Sequence, residues 1–247
     1  MKIRKSLNKG LENKKKRSKL GYLCIWIRNL LLFFLVTSLS AVLLAGWLPV
    51  RYTPLMFIRS VENVGAEKYE NKQTWVSIDE MPSSMIMAAI ACEDNLFMKH
   101  RGFDFVAMGK ARELNKKGKK VYGASTITQQ TAKNLFLWPG RSYFRKGMEA
   151  YFTVLLETFW SKKRIMEVYL NVVEMGDGVY GIEEAAQHYY HKNASKLTED
   201  QCVSIAVCFP NPRVFNPLSL TPKMKSKKER IKILMKKLNR TEWGIAK

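Results

Sequence analysis

Nineteen consecutive residues without a charge, Leu30 to Leu48 (LLLFFLVTSLSAVLLAGWL), constrain this chain more than any other feature. Only Thr37, Ser38 and Ser40 are mildly polar. As a helix rising about 1.5 Å per residue, the run nearly matches the roughly 30 Å of hydrocarbon in a bilayer. Ahead of it, residues 1–28 carry ten Lys or Arg against one acid, Glu12. Positive charge of that density stays cytoplasmic and sends everything after Pro49 outside. The rival is a cleaved leader. Its apolar core would be shorter, about 7–15 residues, and would end at a small-x-small site that is not clear here. The expected organisation is a basic cytoplasmic tail over 1–28, an anchor over 29–49, a stalk over 50–76 and one domain over 77–247.

Charge narrows the partners. The net charge is +21, and the residues after 28 still hold 32 basic against 20 acidic side chains. Such a surplus suits anionic partners: nucleic acid, lipid headgroups or a phosphorylated substrate. Export removes nucleic acid, because an exterior domain meets no chromosome. An apolar fraction of 47% leaves enough for a core. Of four cysteines, Cys24 borders the anchor and Cys92, Cys202 and Cys208 lie beyond it. Their odd number and spacing favour buried thiols over disulfides or metal ligands.

Beyond the anchor the pattern is helical. Pro82 suits a first turn, and SSMIMAAIAC is almost wholly apolar, so it reads as a buried helix delivering Glu93 at its end. Lys110 to Lys120 is basic without an apolar period and reads as exposed and mobile. Ser125 reads as the cap of a helix through Leu135, with Thr126, Gln130 and Lys133 on one face. Phe144, Met148, Phe152, Leu155 and Phe159 form an apolar stripe on the next helix. Arg141, Arg145 and Glu149 recur every four residues on another face. Ser161 opens a further helix with Ile165, Tyr169 and Val172 inward. Gly176 to Gly181 reads as a loop. Thr198 with Gln201 reads as a capping box for a helix to Cys208. Met224, Ile231, Leu234, Met235 and Leu238 give a last amphipathic helix. The expected class is mainly α.

Each chemical reading has a plainer competitor. Glu93-Asp94 could be surface charge, but the apolar helix ahead of Glu93 implies desolvation, which suits a carboxylate to proton transfer. Lys133, Arg141 and Arg145 could be a basic face, or could hold a pyrophosphate through charge-assisted hydrogen bonds. Arg145 and Glu149 could be a simple i,i+4 pair. His188 and His191 near Glu184 lack metal-ligand spacing and read as a solvated face. Leu135 to Trp138 and Tyr143-Phe144 suit either core or a membrane-dipping surface.

Four segments in order, EDNLFMKHRGFD, GASTITQQTAKN, RSYFRKGME and KKRIMEVYLN, closely resemble the successive motifs of the peptidoglycan glycosyltransferases. The match runs from about Ser77 to Pro217, and EMGDGVYGIEEAAQHYY with FPNPRVFNP resembles the monofunctional branch. The resemblance implies a lysozyme-like, mostly helical domain with a small membrane-associated lobe. It implies lipid II and the lipid-linked growing glycan as substrates, the membrane as surface, and cell-wall synthesis or division proteins as partners.

Carried over by position, Glu93 would be the general base and Glu149 a second, assisting carboxylate. Lys133 and Arg141 would stabilise the leaving pyrophosphate, with Arg145 and Lys146 adding to the field. Asp94, His100, Ser125, Thr126, Gln129, Gln130 and Asn134 would shape the cleft. The family leaves room for a divalent cation, Mg or Mn, near the pyrophosphate, but no metal motif stands in the sequence. Two departures are visible: Ala124 where a second Gly is usual, and Tyr190-His191-Lys192 in place of a Phe-Gly-Lys type segment. A lysozyme-like lytic enzyme would share the fold but has no evident use for Lys133 and Arg141. A membrane scaffold would explain anchor and charge, but not the Glu93, Lys133, Glu149 set.

Overall fold

The computed structural model describes residues 2–64, 71–118, 123–140 and 142–238, and the chain divides into two compact units, Met1–Ala45 and Gly46–Lys247. Helix α1 (Lys2–Trp47) makes up the first. Its portion Gly21–Trp47, with mean hydropathy 2.3, is long and apolar enough to cross a membrane. Phe33 is 67% exposed and Leu30 and Leu44 are uncovered too. An uncovered apolar surface of this length suits lipid.

The second unit is built on α3 (Ser83–Glu93), whose residues Met85 to Ile90 are all buried. A helix apolar on every side has no solvent face and becomes the centre of a core. It packs against α9 (Glu199–Cys208) and α10 (Pro222–Lys237). Thr198 and Gln201 close the expected capping box on α9, and Met224, Ile231 and Met235 bury the inner edge of α10. A second layer consists of α5 (Ile127–Phe136), α6 (Tyr143–Phe159) and α7 (Lys162–Val172), with α5 touching both others. Ser161 caps α7, and Ile165, Tyr169 and Val172 point inward as expected.

Three local expectations are revised. Lys110 to Lys116, expected to be exposed and mobile, belongs to a helix, α4 (Phe105–Lys116), that has no buried residue; Asp104 caps it by accepting from Ala107 N at 2.8 Å. Residues 174–180 form a hairpin of β2 (Glu174–Gly176) and β3 (Val179–Tyr180), turning at Gly178 (φ 72°) and leading into α8 (Gly181–Tyr190). On α6 the buried face is Arg145, Glu149, Phe152, Thr153 and Leu156, while Phe144 of the apolar stripe is 71% exposed. The charges go inside because they satisfy each other there.

The segment 50–76 carries more structure than a stalk implies. Thr53 caps α2 (Pro54–Glu62), which packs against α5. Strand β1 (Lys72–Gln73) pairs in parallel with β3, giving the order β1-β3-β2. Val76 N then donates to Asn171 Oδ1 at 2.9 Å.

Candidate active site

Glu93 is the last residue of α3, and Asp94 turns the chain out of the helix. The buried run before it fixes where the carboxylate sits. Gln130 Nε2 donates to Glu93 Oε2 at 2.9 Å, and Cys92 Sγ lies 3.3 Å from Glu93 Oε1. Asp94, 6% exposed, accepts from His100 Nε2 at 2.8 Å and from Ile127 N at 3.1 Å. One carboxylate thereby ties the end of α3 to the start of α5.

The cap of α5 is Thr126, one residue later than Ser125. Thr126 Oγ1 accepts from Gln129 N and Gln129 Oε1 accepts from Thr126 N, a closed capping box. The same hydroxyl donates to Gly102 O at 2.7 Å. Gly102 adopts φ +83°, and a Cβ there would stand 2.7 Å from Thr153 Cγ2, so only glycine fits this bend. Asp94, His100, Thr126 and Gln129 are thus spent on scaffolding. Asn134 is buried on the same helix. Ser125 remains at the opening, 3.4 Å from Lys146 Nζ.

The cations divide into two kinds. Glu149, 3% exposed, accepts from Arg145 Nη1 at 2.9 Å and is also in contact with Lys146 Nζ. Lys133 is different. Burial pushes its ammonium below the usual lysine range; the charges of Glu149 and Glu93 act against that shift, and those of Arg145 and Lys146 act with it. A desolvated ammonium in the field of two carboxylates and two cations is a candidate partner for an incoming anion. Arg141 lies outside the described residues.

A cleft opens beside these groups. One cavity of about 260 Å³ is lined by Glu93, Asp104, Ser125 and Thr126. A second, of about 580 Å³, is lined by Arg112, Lys116, Gln129 and Lys146. Both share Ala111, Ala124 and Ser125, so α4 forms one wall common to the two. Arg112, Lys116 and Lys146 make the larger cavity positively charged, whereas Glu93, Asp94 and Asp104 line the smaller one with Lys110.

Neither Tyr169, whose hydroxyl lies 3.5 Å from Gln130 Oε1, nor Cys92 stands out in the sequence as a neighbour of Glu93. Arg112 lies in the segment expected to be mobile, yet it lines the larger cavity. For Tyr169 the only signal was its place in an inward stripe, which any core tyrosine shares. The described residues offer no cage for a divalent ion: Glu149 is already paired with two cations, and among them no group of three His, Cys, Asp or Glu could hold a metal.

The transglycosylase family model matches residues 60–239. A biosynthetic peptidoglycan transglycosylase from Bacteroides thetaiotaomicron is 52% identical over 192 residues, 77% of each chain. One from Bdellovibrio bacteriovorus is 51% identical over 200 residues, 81% of this chain and 80% of its own. One from Caulobacter vibrioides is 52% identical over 190 residues, 75% and 81% respectively.

Proposed function

The chain belongs to the transglycosylase family, and from that premise we propose how it works as a peptidoglycan glycosyltransferase. Its substrate is lipid II, a disaccharide-peptide on a polyprenyl pyrophosphate, and its donor is the growing glycan on the same carrier. Glu93 takes the proton of the acceptor sugar's 4-hydroxyl. That oxygen attacks the donor's anomeric carbon, and the bond from that carbon to the pyrophosphate breaks with inversion. Negative charge gathers on the leaving pyrophosphate, which Lys133 and Arg141 stabilise, with Arg145 and Lys146 adding to the field. Electrostatic stabilisation of developing charge is commonly the largest single catalytic contribution. Glu149 sets the two α6 cations in place.

The observation that carries this reading is a carboxylate at a buried helix end whose field reaches a desolvated lysine across the same site. A hydrolase would need a proton donor for a sugar leaving group rather than a cation. Anchored by Gly21–Trp47, with its N-terminus cytoplasmic, the enzyme works at the outer face of the cytoplasmic membrane. Exposed Tyr143 and Phe144 meet the bilayer surface there, so substrate is drawn from the lipid phase. Cell-wall synthesis or division proteins are its partners.

The test is polymerisation of purified lipid II by the detergent-solubilised full chain beside Glu93→Gln. Long strands from the first and none from the second support the reading. Equal rates would move the base elsewhere, and cleavage of finished cell wall without polymerisation would make the enzyme a hydrolase.

A further inference from the structure

Gln130 holds only one oxygen of Glu93. A carboxylate held at Oε2 alone can still pivot about its last bond, and a general base that pivots spends less time aligned with the hydroxyl it must deprotonate. The other oxygen faces Cys92, whose sulfur has three close neighbours: Glu93 Oε1 at 3.3 Å, Ala206 O at 3.1 Å and Lys227 Nζ at 3.2 Å.

The chemistry of these neighbours sorts their roles. Lys227 can only donate, so it donates to the sulfur. The thiol proton is shared between Glu93 Oε1 and Ala206 O. That carbonyl already accepts from Phe209 N at 3.2 Å, because Pro210, four residues on, has no N–H to offer it, and so it competes only weakly for the thiol proton. Burial, then the charge of Glu93, pushes the Cys92 thiol up to about 12, so its proton is retained at neutral pH. Lys228 and Lys232, on the same helix, turn outward to Asp200 at 2.6 and 2.7 Å. Lys227 alone of the three reaches inward, past the C-terminal end of α9.

We propose that Cys92 and Lys227 are positioning residues for Glu93: the thiol holds Oε1, and Lys227 of α10 holds the thiol. Donors on both oxygens fix the plane of the carboxylate and leave a lone pair toward the cleft. The C-terminal helix, far along the chain from the four motifs, thereby enters the catalytic arrangement. This rests on Glu93 being the base.

The experiment compares lipid II polymerisation by full-length wild type, Cys92→Ala, Cys92→Ser, Lys227→Met, the Cys92→Ala/Lys227→Met double variant and Glu93→Gln. Melting curves accompany each. Cys92→Ala and Lys227→Met should each lower kcat about tenfold with KM within about twofold. Cys92→Ser keeps a donor and should recover most of the rate. The double variant should be no slower than Cys92→Ala, because both changes break one chain of contacts. Wild-type kcat in Cys92→Ala and Lys227→Met, with Glu93→Gln inactive, overturns the inference alone. So does additive loss in the double variant, or Cys92→Ser as slow and as unstable as Cys92→Ala, since the sulfur would then be filler. Activity in Glu93→Gln would overturn the underlying reading itself.

Discussion

Gln130 stands between Tyr169 and Glu93, its Oε1 3.5 Å from the Tyr169 hydroxyl and its Nε2 donating to Glu93 Oε2 at 2.9 Å. Tyr169 is fully buried, and burial followed by the charge of Glu93 holds its phenol well above the usual tyrosine range. The hydroxyl therefore stays protonated and donates, which makes the amide present its NH₂ group to the carboxylate. A core tyrosine on α7 thus orients a side chain of α5 against the end of α3.

Replacing Gln130 by Leu keeps the volume and removes the donor. The kcat for lipid II polymerisation should fall about ten- to a hundredfold, with melting little changed, because one oriented contact to a proposed base is lost. Tyr169→Phe should cost less, about two- to fivefold, since Gln130 keeps its bond to Glu93. Equal rates for wild type and Gln130→Leu would show that the contact does not align the base.

Lys133 allows stability and activity to be separated. Its pKa is lowered in the folded state, so between the lowered value and 10.5 the unfolded chain binds more protons. Stability from this group therefore rises with pH across that window, and the buried charge is a net cost below it. Lys133→Met should melt at or above the wild-type temperature at pH 7 while polymerisation falls by about a hundredfold or more. The wild-type rate should also decline on the alkaline side below pH 10.5, a limb absent from the residual activity of Lys133→Met. A variant that melts well below wild type would mean that Lys133 is a structural ion-pair partner.

The elements were legible where periodicity and capping agreed. SSMIMAAIAC could only be a buried helix, and Thr198 with Gln201 marked the start of α9 correctly. Misreadings came where tertiary contacts overrode local pattern. Ser125 and Thr126 are both good caps, and the choice fell to Thr126 because its hydroxyl also bonds Gly102 O, a partner 24 residues away. On α6 Phe152 of the apolar stripe shares the core with Arg145 and Glu149 while Phe144 stays exposed, since a paired charge can be buried. Within the site, ordered motifs located Glu93, Lys133 and Glu149. No local signal joined Cys92 to Lys227, a contact across 135 residues made by packing α10 on α3.

Three thiols of the second unit, Cys202 and Cys208 buried and Cys92 half-buried, are held in their unreactive protonated form. Burial pushes Cys202 up to about 11 and Cys92 and Cys208 up to about 12. At pH 8 no more than about one Cys202 in a thousand is thiolate, and the thiolate is the reactive form. A Cys24→Ser chain should therefore give no colour with a disulfide reagent when folded and three equivalents after unfolding. Any slow native reaction should speed up about tenfold per pH unit up to about pH 10. A fast native equivalent would place one of these sulfurs at the surface.

His191 ends α8 in the left-handed conformation, φ 53° and ψ 41°, and is the one described non-glycine residue with positive φ. It stands where the Phe-Gly-Lys type segment of the resembled family has glycine. A Cβ in this conformation costs about 1–2 kcal/mol, which helices usually avoid by placing Gly at C′. Glycine would return part of that gain as extra freedom in the unfolded chain, about 0.5–1 kcal/mol. His191→Gly should therefore stabilise the protein by roughly 0.5–1 kcal/mol, raising the melting temperature by about 1–4 °C. The side chain is exposed at the end of α8 and lines neither cavity beside Glu93, so polymerisation should continue at the wild-type rate. A lower melting temperature would mean that the His191 side chain makes a contact worth more than the strain of its backbone.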